Sequence, residues 1–460
     1  MRNRTFLTVA MIAVFVLGAC TSESSSPSAG GSTGPGASAG ASAGASEPVA
    51  AAPCAEESSQ ADPMMEGVEA NAEISFWTYF LSPTFDDYIN CTIARFEKAY
   101  PGVKVNWEDH QATYLDDYRN SIQAGTQPDV ANLSNNEGWV QEFAQAGRLL
   151  DLTKNAPKEI VDQYFPNLFA DNLVNDHSFQ FPWYQAIAVE LINTKLYKGD
   201  PKDFPTSIDA LPALCKSIKD ESGTLCDIRL TVNDYLTQMT YEGGVKAMNA
   251  DGTKFTFDSP EAVAWLQMYV DMVKDGLVDT DALTTALDRV GLLIFSAGQA
   301  PFYQTGPQLI RVVKSNNPDL YDNLAIAPLP LGKSGVTQPT SMAISVKSDT
   351  KFPNASMALA AFFTGPRAML DFAKIVPVYP STPAAYDDPF FSETPELIED
   401  SARPLAKALI EKQQNILKPV PNKKDVNDIV RQAVESALFN NVPAQQALSD
   451  AVAKANALLK

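Results

Sequence analysis

From residue 73 onward the chain alternates short β-prone runs with helix-period runs, each closed by its own stop signal, and that alternation restricts it to an α/β architecture. Residues 73–79 form a first β-prone run. Ile89, Ile93, Phe96 and Tyr100 then recur at helical spacing, and Pro101-Gly102 ends the pattern. Val103, Val105 and Trp107 alternate as a second strand, with Trp107 directed to the core. A helix carrying Leu115, Tyr118 and Ile122 stops at Gly125; Asp129-Val130 opens a third strand; a helix over 137–146 stops at Gly147. Similar but more helical material runs over 184–330, with Asp251-Gly252 as a hairpin turn and Trp265 as a core residue on a helix. The last stretch is helical, with Ile429, Ala433, Ala437 and Leu438 on one apolar face and Leu448, Val452, Ala455 and Leu459 on another. A chain of 460 residues with 45% apolar content is long enough for two lobes.

The first twenty residues read as an export signal. Arg2 and Arg4 precede an apolar run from Phe6 to Leu17, too short to span a bilayer. The run ends in Leu17-Gly18-Ala19-Cys20, small residues before a cysteine, which resembles a bacterial lipobox; Cys20 is then the acylated mature N-terminus. Residues 21–71 read as a flexible tether, because the stretch from Thr21 to Ala45 is almost entirely Ser, Gly, Ala, Thr and Pro and has no apolar surface to bury. Such Gly/Ala/Ser/Pro tethers resemble those of high-GC Gram-positive bacteria. Lipidation of Cys20 leaves four cysteines, for which three pairings exist. Cys215–Cys226 is favoured by the short polar, Gly-containing segment between them, and Cys54–Cys91 follows. The net charge of -20 argues against a nucleic-acid partner, whose phosphates need a basic surface to neutralise them. No Cys/His spacing suggests a metal, and no cofactor is implied.

Several segments together resemble the extracellular carbohydrate-binding proteins of ABC importers, the maltose-binding-protein-like family. They are Phe96 through Val105 (FEKAYPGVKV), Ala124 through Val130 (AGTQPDV), Ala146 through Leu152 (AGRLLDL), Ile187 through Asn193 (IAVELIN) with Pro205 through Asp209, Phe257 through Val263 (FDSPEAV), and Phe295 through Gln299 leading to Thr305-Gly306-Pro307 and Ala327-Pro328-Leu329-Pro330. The resemblance implies a two-lobed periplasmic-binding-protein-like fold of type II, with hinge crossings and a central ligand cleft. It places the crossings near 185–189, 339–344 and 389–392. The N-lobe is then 72–186 plus 343–390 and the C-lobe 187–342 plus 391–460. The implied partners are a small-molecule solute, a carbohydrate above all, ABC permease subunits and, through the lipid, the membrane; the chain is expected to be a monomer outside the cytoplasm, whether on a Gram-positive surface or in a periplasm.

Sugars are held by aromatic faces against C–H surfaces and by carboxylates or amides against hydroxyls. Loops after strands and near the crossings supply Trp77, Tyr79, Asp109, Asn135, Glu137, Trp183, Tyr184, Tyr241, Tyr303, Gln304 and Tyr379 as candidates. The family's stacking Trp after the Gly-Pro turn is replaced by Gln308, and neither the loop after the third strand nor 422–430 carries an aromatic, so a small polar ligand fits better than a long oligosaccharide.

Other classes are weaker. Glycoside chemistry needs a carboxylate pair, which 55 acidic residues always supply by chance. The two histidines, His110 and His177, lie on separate segments, and no nucleophile elbow or zinc-protease motif is present. Gly332-Lys333-Ser334 mimics the end of a phosphate loop without its upstream glycine, and Asn249, Asp251 and Gly252 mimic an EF-hand whose first ligand position is Ala247. The same fold binding a polyamine or iron, or serving as a sensor or adhesin, remains an alternative.

Overall fold

In the computed structural model, the described residues are 58–135, 138–226, 234–278, 280, 290–417 and 420–459. The expected signal peptide, the acylated Cys20 and Cys54 fall outside them.

Two sheets organise the chain. The larger has the order β2-β1-β3-β8-β4-β9, formed by β1 (Glu73–Tyr79), β2 (Lys104–His110), β3 (Val130–Ser134), β4 (Phe181–Ala186), β8 (Thr340–Val346) and β9 (Tyr379–Pro380). β1 is parallel to β2 and β3, with Phe76 opposite Trp107 and Val130, whereas β8 runs antiparallel between β3 and β4. The smaller is the antiparallel β6-β5-β7, from β5 (Val189–Asn193), β6 (Phe302–Thr305) and β7 (Leu324–Pro328). The chain leaves the larger sheet after Ala186, enters the smaller at Val189, and returns between Pro328 and Thr340.

The expected helix stops hold. The helix Asp86–Ala99 ends before Pro101-Gly102, and Tyr114–Ala124 ends at Gly125, whose φ of 72° is costly for a side chain with a Cβ. Alternation in β1 buries Ile74, Phe76 and Thr78 against helices, since successive strand residues face opposite ways. At Asp251-Gly252 a turn brings Met248 opposite Phe255, and Asn249 Oδ1 accepts from the amides of Thr253 and Lys254. Trp265 is buried, while Trp107 is half-buried with its Nε1 donating to Thr78 Oγ1 at 2.8 Å.

Beneath the smaller sheet, the helices Tyr235–Gly243, Pro260–Lys274, Lys423–Phe439 and Ala444–Ala457 close one apolar core. The face of the penultimate helix is Val426, Val430, Ala433, Val434, Ala437 and Leu438, with Ile429 only half-buried at its margin. Another core joins the two sheets: Phe165, Leu168 and Tyr379 from the larger side pack with Val189, Leu191 and Tyr303 from the smaller. The disulfide Cys215–Cys226 is present. Cys91 is also disulfide-bonded.

The tether expectation needs correction at its C-terminal end. Residues 58–71 lie against the larger half as a strap: Asp62 pairs with Arg95 at 3.3 Å and Arg367 at 3.5 Å, and Glu69 accepts from the amides of Asn354 and Ala355, capping the helix Pro353–Thr364. Met65 is buried and its amide donates to Tyr100 Oη. The residues that hold the strap lie far along the chain, so local composition carries no sign of them.

Candidate functional site

A cavity of about 340 Å³ opens where the crossing segments meet. Ala186–Ala188 and Val336–Thr340 form one side; Thr237, Tyr241 and Glu242 of the helix Tyr235–Gly243, with Gln304 of β6, form another. Gln413, on the chain returning from the larger half, closes it. These strands of backbone are knitted together. Gln413 Nε2 donates to the carbonyl of Ala186 at 2.7 Å, Thr337 N to Lys412 O at 2.8 Å, and Gln414 N to Thr337 O at 3.0 Å. Tyr241 Oη donates to Gln414 O at 3.0 Å and accepts from the Ile416 amide, and burial raises its pKa to about 12.

The helix is placed by both ends. Asp234 caps its N-terminus through the Thr237 amide and pairs with Lys423 at 3.2 Å. At the C-terminus, Lys333 N and Ser334 Oγ bond the carbonyls of Glu242 and Tyr241. The phosphate-loop look-alike is therefore a helix cap. Gly332 is required there, because a Cβ would lie 2.2 Å from Glu242 Cα. Glu242 accepts from Gln238 Nε2, Trp265 Nε1 and Tyr269 Oη at 2.7–2.8 Å, and burial still raises its pKa. Both carboxylates at the cavity are thus already engaged. Two buried polar atoms of its lining have no partner: Thr237 Oγ1 and Gln413 Oε1. No lysine, arginine or histidine lines it among the described residues.

A second set of groups lies at the carboxyl ends of β1 and β3, where parallel strands commonly present ligands. Tyr79 packs on Tyr114 and Trp139, with Phe80 edge-on to it at 4.9 Å. Phe80 is 51% exposed and has φ of 57°, a conformation a bulky residue rarely takes. Asn135 is buried, donating from Nδ2 to Ser341 Oγ at 2.8 Å, one residue from the cavity-lining Thr340.

A bridge of amides spans the junction nearby. Asn172 Oδ1 accepts from Asn415 Nδ2 at 2.8 Å and from Gln141 Nε2. Beside it, Asp171 is 5% exposed, its Oδ1 has no partner, and burial raises its carboxyl to about 7.

Of the sequence candidates, Tyr241 and Gln304 line the cavity. Trp183 does not: it is fully buried, stacked on Phe372 and edge-on to Phe363, because its position on β4 turns it to the helices covering the sheet. Tyr184 is half-buried beside it against Phe372. Tyr303 is buried and stacked on Phe295, and Tyr379 is buried at a separate, smaller cavity. Asp109 is spent on structure, accepting from Thr78 Oγ1, the Leu81 amide and Gln111 Nε2. Trp77 lies half-buried with its ring 4.1 Å from that of His110. Glu137 lies outside the described residues. Sequence reasoning missed the cavity-lining Thr237, Glu242 and Gln413; of these, only the helix containing Thr237 and Glu242 carried a local sign, its Asp234 cap.

Comparison with known proteins matches this architecture. The family model of the bacterial extracellular solute-binding proteins matches residues 82–370. A protein of Deinococcus radiodurans described as a candidate ABC transporter-binding protein is 22% identical over 56% of this chain and 66% of its own length. The solved structure of a candidate oligosaccharide periplasmic-binding protein from a Synechococcus species superposes with a TM-score of 0.71 at 21% identity, covering 84% of this chain and 98% of that one. A cyclic alpha-maltosyl-1,6-maltose binding protein from Arthrobacter globiformis gives 0.67 at 20% identity, covering 85% and 99%. The fold is the two-lobed α/β fold of these proteins, and the chain belongs to the bacterial extracellular solute-binding protein family, a family of binding proteins rather than enzymes.

Proposed function

We propose that this protein captures a small, uncharged carbohydrate at the crossing cavity and presents it to the membrane subunits of an ABC importer. The observation that carries the reading is the chemistry of the cavity: amide and hydroxyl groups, with Thr237 Oγ1 and Gln413 Oε1 left to partner a solute, and no basic residue among the described lining. Side-chain amides and hydroxyls match paired sugar hydroxyls. A cavity of about 340 Å³ suits a mono- or disaccharide rather than a long chain. On this reading Phe80, exposed at the carboxyl end of β1 and edge-on to Tyr79, is the aromatic ring that the larger half brings to the solute. The polyamine alternative loses its support where Asp234 and Glu242 are already satisfied by Lys423, the Thr237 amide and three side-chain donors. Iron fares no better: the cavity's tyrosine is hydrogen-bonded to the backbone, and no described group of His, Cys, Asp or Glu side chains is arranged to hold a metal.

The import role is supported by the family and by the name given to the Deinococcus relative. Anchoring through an acylated Cys20, the tether and the monomeric state belong to the same proposal and rest on the sequence alone.

The test is a thermal-shift screen of the purified chain against mono- to tetrasaccharides, sugar alcohols, sugar acids, polyamines and ferric iron. A solute at about a hundred times its dissociation constant adds roughly 2.7 kcal/mol, a shift of some degrees. A shift with a neutral mono- or disaccharide, without turnover, is expected. A shift confined to polyamine or iron overturns the carbohydrate reading.

A further inference from the structure

A second cavity, of about 140 Å³, lies apart from the crossing cavity and shares none of its lining. On one side it is walled by Lys374 and Tyr379, which follow the helix Pro366–Ala373; on the other by Phe390, Asp400 and Arg403. Two hydrogen-bond donors belonging to this lining end without a partner: Tyr379 Oη, on a side chain 1% exposed, and Arg403 Nε. Leaving buried donors unmade is costly, and an arginine Nε–H can only donate.

The surrounding groups narrow the occupant. The Arg403 guanidinium lies 4.1 Å from the centre of the Phe390 ring, which fixes its plane. Asp400 reaches only Arg403 Nη2, and at 3.8 Å, which leaves Nε unused. Asp400 is itself partly solvated, with 44% of its side chain exposed. Lys374 Nζ stands 3.4 Å from Asp388 and 5.9 Å from the Phe390 ring centre, at the mouth of the same space. Electrostatically, Tyr379 faces Asp400 and Arg403. The cavity therefore offers one rigid guanidinium edge, one phenol and one ammonium, and its small volume excludes anything as large as the solute of the main cavity.

We propose that this cavity is a binding site for a small carboxylate anion of acetate or formate size. A planar carboxylate accepts from Arg403 Nε and the guanidinium edge, and from Tyr379 Oη, while Lys374 supplies charge. Asp400 opposes it and holds the affinity to a moderate value.

The proposal is tested by titrating the full chain with sodium acetate against sodium chloride at constant ionic strength and following the melting temperature. Acetate is expected to raise it by a few degrees at about a hundred times its dissociation constant, and chloride to leave it unchanged. Tyr379→Phe is the decisive variant: it should melt at or above the wild type in chloride, because an unpartnered hydroxyl is removed, and should lose at least half of the acetate shift. Arg403→Gln should lose all of it. Equal shifts with acetate and chloride, or a full acetate shift in Tyr379→Phe, would show that the cavity holds water only and overturn the site. Saturation only at molar acetate would mark an adventitious anion only, with the same consequence.

Discussion

Gln413 fastens the returning chain to the first crossing: its Nε2 donates to Ala186 O at 2.7 Å while its Oε1, buried, faces the cavity lining without a partner. One amide thus serves the junction with one end and is available to the solute with the other. Gln413→Glu keeps an acceptor but loses the donor to Ala186; Gln413→Leu loses both. The leucine variant should lose about 1–3 kcal/mol of solute binding, roughly five- to 150-fold in dissociation constant, measured by calorimetry with the solute found in the screen. Unchanged affinity would remove Gln413 from the site.

Phe80 separates binding from folding. Its ring is half exposed, so truncation forfeits little burial, and glycine suits its φ of 57° better than any side chain. Phe80→Gly is expected to melt at or above the wild type without solute, yet to bind solute several-fold more weakly. If affinity holds, the aromatic face from the larger half is not part of the site.

Gly332 is a packing requirement. A Cβ there would lie 2.2 Å from Glu242 Cα and 2.5 Å from its carbonyl oxygen, both backbone atoms that cannot yield. Gly332→Ala must displace the segment that caps the helix carrying Thr237 and Tyr241, at a cost of about 1–3 kcal/mol or more. Urea denaturation should show this loss, accompanied by weaker solute binding.

Asp171 makes stability depend on pH. Burial raises its carboxyl from 3.8 to about 7, so the folded protein holds this proton more tightly than the unfolded chain. The sign follows: as pH rises from about 4 to about 7 the folded state loses the advantage of the neutral acid, and above about 7 the effect is complete. Asp171→Asn keeps an uncharged group in place. The wild type should therefore lose stability relative to Asp171→Asn across that window, with the difference constant above it. Denaturation midpoints of both proteins from pH 4 to pH 8 measure this, and parallel curves would contradict it.

Local signals were sufficient for much of the framework. The helix ends at Pro101-Gly102 and Gly125, the strand alternation of 73–79, the turn at Asp251-Gly252 and the Cys215–Cys226 pair all follow from neighbours in the chain, because backbone conformation and short-range pairing are decided there. The family resemblance was legible for the same reason, since its segments are mostly turn and cap residues.

Which side of an element faces a cavity is a different matter, and only the tertiary structure decided it. Trp183 sits close to the first crossing in sequence and Tyr303 just before the Gly306-Pro307 turn, but their strands turn them into cores, with Phe372 against the one and Phe295 against the other. Gln413 has no local mark at all; it joins the site because the chain returns past Ala186. The strap over 58–71 reads as a tether until Arg95, Arg367 and the amides of Asn354 and Ala355 are brought to it from distant parts of the chain. Sequence carries local backbone preference and apolar period; the convergence of side chains on a site depends on packing between segments hundreds of residues apart, and that is encoded in no single stretch.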